Sequence, residues 1–485
     1  MTSPASARSV SFGTATGRSV LLVTILASGM AFLDATVVTV ALPSIESDLG
    51  GGFATLQWVL DAYLLTLGSL VLVGGALADL LGIRRVFAWG VAGFLVASLL
   101  CGLAPTAEAL IAARALQGVG AALMVPGSLA LISSLFVAEQ RGRAIGLWSG
   151  LAGITTAIGP FAGGLLLATG SGGWRFIFLL NVPAAIGVLL LLTKVPSVPG
   201  SRTDAPLTRQ VDVLGAVLTT VGLALVVGPL IEWDALGATT AAGVMAVGAL
   251  VLVLFWLVER RRQVTQAPPP MLPPPLWRIR SFTTANLVTF VVYGALNANL
   301  LLLTVALQIG LGWTALAAGV AGLPITIMLA LFSARVGRLL PRIGSRALLT
   351  AGSLLMAVGL GWLSQLGEDA TYWRNVLPPI LVFACGLVLL VAPITTTALG
   401  DIPVASSGVG SGVNNAVARI AGLVAIAVVP VLAGLSTLDP SAGSSVLPGF
   451  HRATLICAGL CVAGAAVSWF GFDSSTGKTQ GKASA

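Results

Sequence analysis

Long apolar runs recur along the whole chain, each closed off by glycine, proline or a cluster of charges. Most approach the roughly 20 residues that a helix needs to cross the hydrocarbon core of a bilayer. Read with that punctuation, the pattern predicts fourteen transmembrane helices, at 19–43, 56–78, 86–104, 108–135, 143–168, 175–194, 211–231, 239–258, 282–310, 315–339, 346–365, 375–399, 409–434 and 452–472. The turns between 86–104 and 108–135, and between 282–310 and 315–339, are short enough for helical hairpins. The expected fold class is an all-α polytopic membrane protein.

Polar segments set the organisation. The stretch Glu259 to Pro275 is basic and then proline-rich, and consecutive prolines cannot continue a helix, so it reads as a linker. A second hydrophilic stretch, Pro196 to Gln210, precedes the seventh run. The expected plan is a cytoplasmic tail at 1–18, a six-helix bundle at 19–196, a linker with two extra transmembrane helices at 197–275, a second six-helix bundle at 276–473 and a tail at 474–485. The halves echo each other. Gly75, Asp79, Gly82, Arg84 and Arg85 follow the second run, and Arg335, Gly337, Arg338, Arg342, Gly344 and Arg346 follow the second run of the second half. Repetition of helical halves is a transporter pattern.

Charge fixes the orientation. With the N-terminus in the cytoplasm, alternation puts twenty of the 25 lysines and arginines on the cytoplasmic side. Arg175, Arg374 and Arg452 fall outside, and Arg114 and Arg419 fall within runs. That bias predicts both termini in the cytoplasm of a bacterial inner (cell) membrane. The segment Met1 to Gly17 is too polar for a signal peptide.

Composition narrows the chemistry. The chain is 56% hydrophobic and 9% charged, against about 25% charged for soluble proteins. The net charge of +8 is explained by topology and anionic lipid headgroups, so no nucleic-acid partner is expected. The four cysteines lie in apolar runs and His451 is the only histidine, which gives no metal spacing and predicts no cofactor. Neither a phosphate-binding loop with Gly-x4-Gly-Lys-Ser/Thr spacing nor a nucleophile elbow is present, so neither ATP-driven transport nor an enzyme is expected.

Asp34 lies inside the first run. A carboxylate there costs roughly 3 kcal/mol on insertion scales, and membrane acids of this kind are functional by default. Desolvation disfavours the anion, so Asp34 is the first candidate for a proton site; the alternative is a packing carboxylate bonded to a hydroxyl such as Thr36. Asp61, about one turn inside Trp58 on the second run, is a second candidate, or else an acid at the outer gate.

Five strings, in order and at matching helix positions, then carry a resemblance. They are Leu33-Asp34-Ala-Thr36 through Ala41-Leu42-Pro43; Gly75 through Asp79 and Gly82 to Arg84-Arg85; Arg114-Ala-Leu-Gln117-Gly118; Gly153 through Gly159-Pro160 to Gly163-Gly164; and Trp174-Arg175 through Asn181-Val-Pro183. The chain resembles the major facilitator superfamily, in its fourteen-helix drug:proton antiporter branch, over nearly its whole length. There are departures. Ala76, Leu80 and Ile83 replace basic residues frequent in the loop motif, and Thr39 stands where asparagine is common. The tenth and thirteenth runs lack the acids of some quaternary-ammonium exporters, leaving room for monocationic, neutral or anionic substrates.

The resemblance implies proton-coupled efflux of lipophilic drugs or antibiotics by a monomer, with the substrate, protons and membrane lipid as partners. Arg114 would pair with Asp34 or Asp61, as a coupling device or as a permanent structural pair. Gly75, Asp79, Gly82, Arg84 and Arg85 would form a cytoplasmic latch, or merely a helix cap with topology charges. Gly153, Gly159, Pro160, Gly163 and Gly164 would form a movable seam between the halves, or ordinary small-residue packing. Trp58, Tyr63, Gln308, Asn414 and Asn415 would line the substrate cavity, with Asn181 among further polar candidates; core packing or interface anchoring is the competing role for each. Arg419 would bind an anionic substrate or else satisfy helix ends. Two rival functions stand beside efflux: a dedicated exporter of one endogenous metabolite, and a lipid-handling membrane protein without drug transport.

Overall fold

The computed structural model describes residues 10–170, 172–201, 210–265, 268–403, 406–435, 443 and 445–472, with the backbone alone at 138, 149, 152–154, 156–157 and 407. Most of both predicted tails, the middle of the first linker, and Arg8, Arg202, Arg209, Lys478 and Lys482 therefore lie outside the described residues.

Fourteen long helices account for the fourteen apolar runs. They are α1 (Ala15–Leu49), α2 (Gly52–Leu81), α3 (Ile83–Gly102), α4 (Ala107–Leu135), α5 (Ala138–Leu167), α6 (Gly173–Leu192), α7 (Val213–Ile231), α8 (Ala238–Thr265), α9 (Arg280–Gly310), α10 (Ala315–Ile343), α11 (Ser345–Leu363), α12 (Tyr372–Gly400), α13 (Ser407–Ala433) and α14 (Val446–Gly471). Thirteen are long and apolar enough to span a membrane; in α5 the apolar stretch described is Ile158–Leu167. Several helices outrun their apolar stretches. At α8 this corrects the sequence reading: Glu259 to Thr265 form its last two turns rather than linker, because the helix-breaking prolines begin only at 268.

The helix pairings repeat with an offset of eight. In the first half α3 packs on α4, α2 on α4, α1 on α5 and α6, and α3 on α6. In the second half α11 packs on α12, α10 on α12, α9 on α13 and α14, and α11 on α14. The two largest seams between the halves, α2 with α13 and α5 with α10, exchange under the same offset. Close approach depends on glycine. A Cβ on Gly118 of α4 would sit 2.1 Å from the Thr66 Oγ1 of α2, and one on Gly120 would sit 2.6 Å from the Phe94 backbone nitrogen of α3. The loop echo is also structural. Gly82 and Gly344 each close one helix and open the next at positive φ, 95° and 86°, where a side chain would be strained.

The extra helices α7 and α8 pack on each other, and α7 also touches α2 and α13. The Thr220 hydroxyl of α7 lies 2.9 Å from Ser69 Oγ of α2. The Trp58 indole donates to Glu232 just beyond α7, at 2.9 Å. The linker pair is thus fastened beside the α2–α13 seam.

Candidate functional site

The first half encloses a charged network. Asp34 of α1 and Arg114 of α4 are fully buried and form an ion pair at 2.5 Å. Gln117 stands one turn beyond Arg114 on the same face of α4. Its amide donates to the other Asp34 oxygen at 3.0 Å and to Ser98 of α3 at 2.9 Å. Asn181 of α6 also donates to Asp34, at 3.4 Å, and to Ser98, at 3.5 Å. Arg114 spends further hydrogens on the Gln117 carbonyl at 2.5 Å and, through Nε, on the backbone carbonyl of Val59 in α2 at 2.9 Å. Its guanidinium lies 4.4 Å from the centre of the Tyr63 ring. Four other helices thereby hold one carboxylate on α1. The Thr36 hydroxyl donates back to the Phe32 and Leu33 carbonyls of its own helix.

Asp61 is different in kind. It is fully buried and neither carboxylate oxygen has a hydrogen-bond partner among the described residues. Its place follows from its neighbours on α2. Gln57, four residues earlier, donates to the Ile426 carbonyl of α13 at 2.7 Å, and Gly68, seven residues later, packs against the Arg419 Cβ of α13. Positions 57, 61 and 68 share one helical face, so Asp61 lies along the seam between the halves. An unpaired carboxylate in such a place is strongly disfavoured, and the neutral acid is the form that fits.

Two more seams meet near the α1–α2 end. The Gln308 amide, in a π-turn that ends α9, donates to the Val40 carbonyl of α1 at 2.9 Å. Beside it a cavity of about 290 Å³ is lined by Pro43, Ser44, Ser47, Asp48, Gln308 and Trp313. In the α5–α10 seam a Cβ on Gly164 would meet Leu316 Cα at 2.5 Å, and one on Gly319 would meet the Pro160 carbonyl at 2.4 Å. The helices interlock through glycine on both sides. Gly159 and Gly163 instead face Thr36 and Val37 of α1, within the first half. The surroundings of Gly153 lie outside the described residues.

The same architecture appears in known proteins. A family model described as Major Facilitator Superfamily matches residues 24–227. The puromycin resistance protein of Streptomyces alboniger is 34% identical over 474 residues, covering 94% of this chain and 91% of that one. The chain belongs to the major facilitator superfamily. The methylenomycin A resistance protein of Streptomyces coelicolor is 35% identical over 433 residues, covering 87% of each chain. The crystal structure of a D-xylose–proton symporter superposes with a TM-score of 0.65 over 96% of this chain and all of that one; at 16% identity it speaks for the fold alone.

This major facilitator chain brings together some expected site residues and separates others. Asp34 and Arg114 meet, whereas Asp61 joins neither. Tyr63 stacks on Arg114. Trp58 is engaged with Glu232 of the linker rather than with the interior. The Asn414 amide donates to Asn286 and Thr289 of α9, both at 3.1 Å. Asp79 is exposed, and its backbone carbonyl receives Ser201. Arg84 and Arg85 take part in none of the ion pairs among the described residues. They line a groove of about 600 Å³ with Gly82 and the 197–200 segment. Gly75 has open space where a side chain would go. Sequence reasoning does not find Gln117 as an Asp34 partner, nor Ser98 as the hydroxyl that accepts from Gln117 and Asn181. The spacing of Gln117 from Arg114 carried a signal; a lone serine in an apolar helix carried none.

Proposed function

We propose that this protein exports lipophilic small molecules, antibiotics among them, across a bacterial cytoplasmic membrane in exchange for protons. The observation that carries the reading is Asp61, an acid without a partner sealed into the seam between two helical halves. In this state the neutral Asp61 permits the seam to close, while Asp34 stays paired with Arg114. Loss of the Asp61 proton leaves an uncompensated charge in the seam and favours its opening. Proton binding and release are thereby linked to the rocking of the halves, the form of coupling that alternating access requires. This places Asp61 ahead of Asp34 as the acid that carries the proton here; Asp34, Arg114, Gln117 and Asn181 form the network that adjusts around it.

With both termini in the cytoplasm, the end of the bundle at Gly50 faces outward and is the closed one. On this reading the protein is in an inward-facing state, with fourteen spans organised as 19–196, a linker at 197–275 and 276–473. Disengagement of Asp79, Arg84 and Arg85 from ion pairs fits a latch that closes only when the inner end closes. The resistance relatives support antibiotics as substrates. The test is proton-driven uptake of methylenomycin A into everted vesicles. Asp61→Asn and Asp34→Asn are expected to abolish gradient-driven accumulation with the protein still present at wild-type level. Accumulation by Asp61→Asn that still collapses with the proton gradient would remove the assigned role of Asp61.

A further inference from the structure

Arg419 is a charge in the membrane interior that no ion pair among the described residues neutralises. The ion pairs among the described residues belong to Arg114, Arg175 and Arg262. Arg419 has no hydrogen-bond or ion-pair partner among the described residues. Its side chain is only partly buried. It stands twelve residues from the start of α13 and fourteen from its end, about 18 and 21 Å along the axis. An arginine side chain cannot snorkel over such a distance to either headgroup layer.

The surroundings of Arg419 look built for a guest. Gly68 on α2 has no side chain where the Arg419 stem passes; a Cβ there would lie 3.3 Å from the Arg419 Cβ. The guanidinium lies within electrostatic reach of Tyr63 of α2 and Tyr293 of α9. The Arg419 stem lies in the α2–α13 seam, where the halves meet. Asn415, one turn earlier on α13, also has no hydrogen-bond partner among the described residues. The two acids of the interior are not its counterions. Asp34 is saturated by Arg114, Gln117 and Asn181, and Asp61 is sealed along the seam with no bond to Arg419.

We infer that Arg419 receives the acidic group of the exported molecule, so that the substrate class is a lipophilic acid or zwitterion rather than a simple lipophilic cation. The planar guanidinium offers paired N–H donors that match a carboxylate or a delocalised phenolate. Tyr63 and Tyr293 supply aromatic walls for the rest of the molecule. An unsatisfied positive charge at the same place opposes entry of a cation. This inference rests on the efflux reading for its biological meaning, but its test is binding.

The test uses the full chain in phosphatidylcholine nanodiscs and two dyes built on one tricyclic ring. Fluorescein is an anion with a carboxylate and a phenolate; rhodamine 123 is a cation whose acid is esterified. Fluorescence anisotropy titrations are expected to give tighter binding of fluorescein than of rhodamine 123 by the wild-type protein. Arg419→Gln should weaken fluorescein at least tenfold and leave rhodamine 123 unchanged or stronger, and Arg419→Lys should fall between. Equal or tighter binding of rhodamine 123 by the wild type overturns the inference without any variant. An equal loss for both dyes in a folded Arg419→Gln protein overturns it too. Displacement of fluorescein by added phosphatidylglycerol assigns the guanidinium to a lipid headgroup and also overturns it. Anion binding that depends on Arg419, without proton-driven movement of either dye in vesicles, would instead remove the efflux reading and leave the site standing.

Discussion

The side-chain amide of Gln57 donates to the Ile426 carbonyl at 2.7 Å, and Ile426 is the residue four places before Pro430. Proline has no N–H, so the carbonyl four residues earlier loses its helical donor. A side chain from α2 thus completes a hydrogen bond that α13 cannot make for itself, and it does so across the seam between halves. Replacing Gln57 by leucine leaves that carbonyl without its donor in an apolar seam. An unmet buried acceptor costs about 1–3 kcal/mol, enough to shift a two-state balance roughly 5- to 150-fold. Spin labels at Ala54 and Leu432, in a chain with its four cysteines replaced, should report a larger population of separated α2 and α13 ends in Gln57→Leu. An unchanged distance distribution would mean that the bond does not hold the seam.

Much of this architecture is legible in the sequence. Apolar run length fixed the helices, because a membrane helix must satisfy its own backbone and its span is set by the bilayer. The partners of individual side chains were less legible. Asp34 and Arg114 are eighty residues apart, and only the packing of α1 on α4 decides that they meet while Asp61 remains alone. Trp58 had the pattern of a cavity aromatic, but its partner Glu232 lies beyond a helix whose docking site the sequence does not encode locally. The glycine string of α5 was recognisable as a flat stripe. That Gly164 faces the other half while Gly159 and Gly163 face their own is a matter of helix rotation by about 100° per residue, which the string alone does not fix.

The α5–α10 seam gives a steric prediction. Gly319→Val places carbon against the Pro160 carbonyl, where even a Cβ would come within 2.4 Å. Backbone cannot yield there as a flexible side-chain tip can, so the seam should fail to close. Gly459→Val, at an exposed position of α14 with nothing within 4 Å, serves as the control. Both proteins should elute as folded monodisperse species in detergent. Transport should fall at least tenfold in Gly319→Val and stay near wild type in Gly459→Val. Equal activity of the two would show that α5 and α10 separate further during turnover than this packing implies.

The Asp34–Arg114 pair should behave as one unit in stability. Removing one partner leaves the other as a buried uncompensated charge, at a cost of about 3–5 kcal/mol. Asp34→Asn and Arg114→Gln should each lower the melting temperature in detergent. The double variant should be more stable than the sum of the two losses predicts, with a coupling of about 0.5–3 kcal/mol. Gln117→Leu should lose less than either, since Asp34 retains Arg114 and Asn181. Additive losses in the double variant would indicate that the two groups act separately in solution.

Asp61 sets the direction of the pH response. The neutral acid fits the sealed seam and the anion does not, so the sealed arrangement should gain as pH falls and lose as pH rises. Each proton bound on closing gives a tenfold change in the ratio of sealed to open forms per pH unit, over the range in which the group titrates in one form but not the other. Asp61→Asn supplies a permanently neutral side chain of nearly the same shape. It should hold the seam closed at all pH values and flatten the response measured by the Ala54–Leu432 spin-label distance. Asp34→Asn is expected to retain a pH dependence, because Asp61 is still present. If Asp34→Asn flattens the response while Asp61→Asn leaves it intact, the proton that governs closure resides on the ion-paired acid of α1 and the roles assigned to the two carboxylates are reversed.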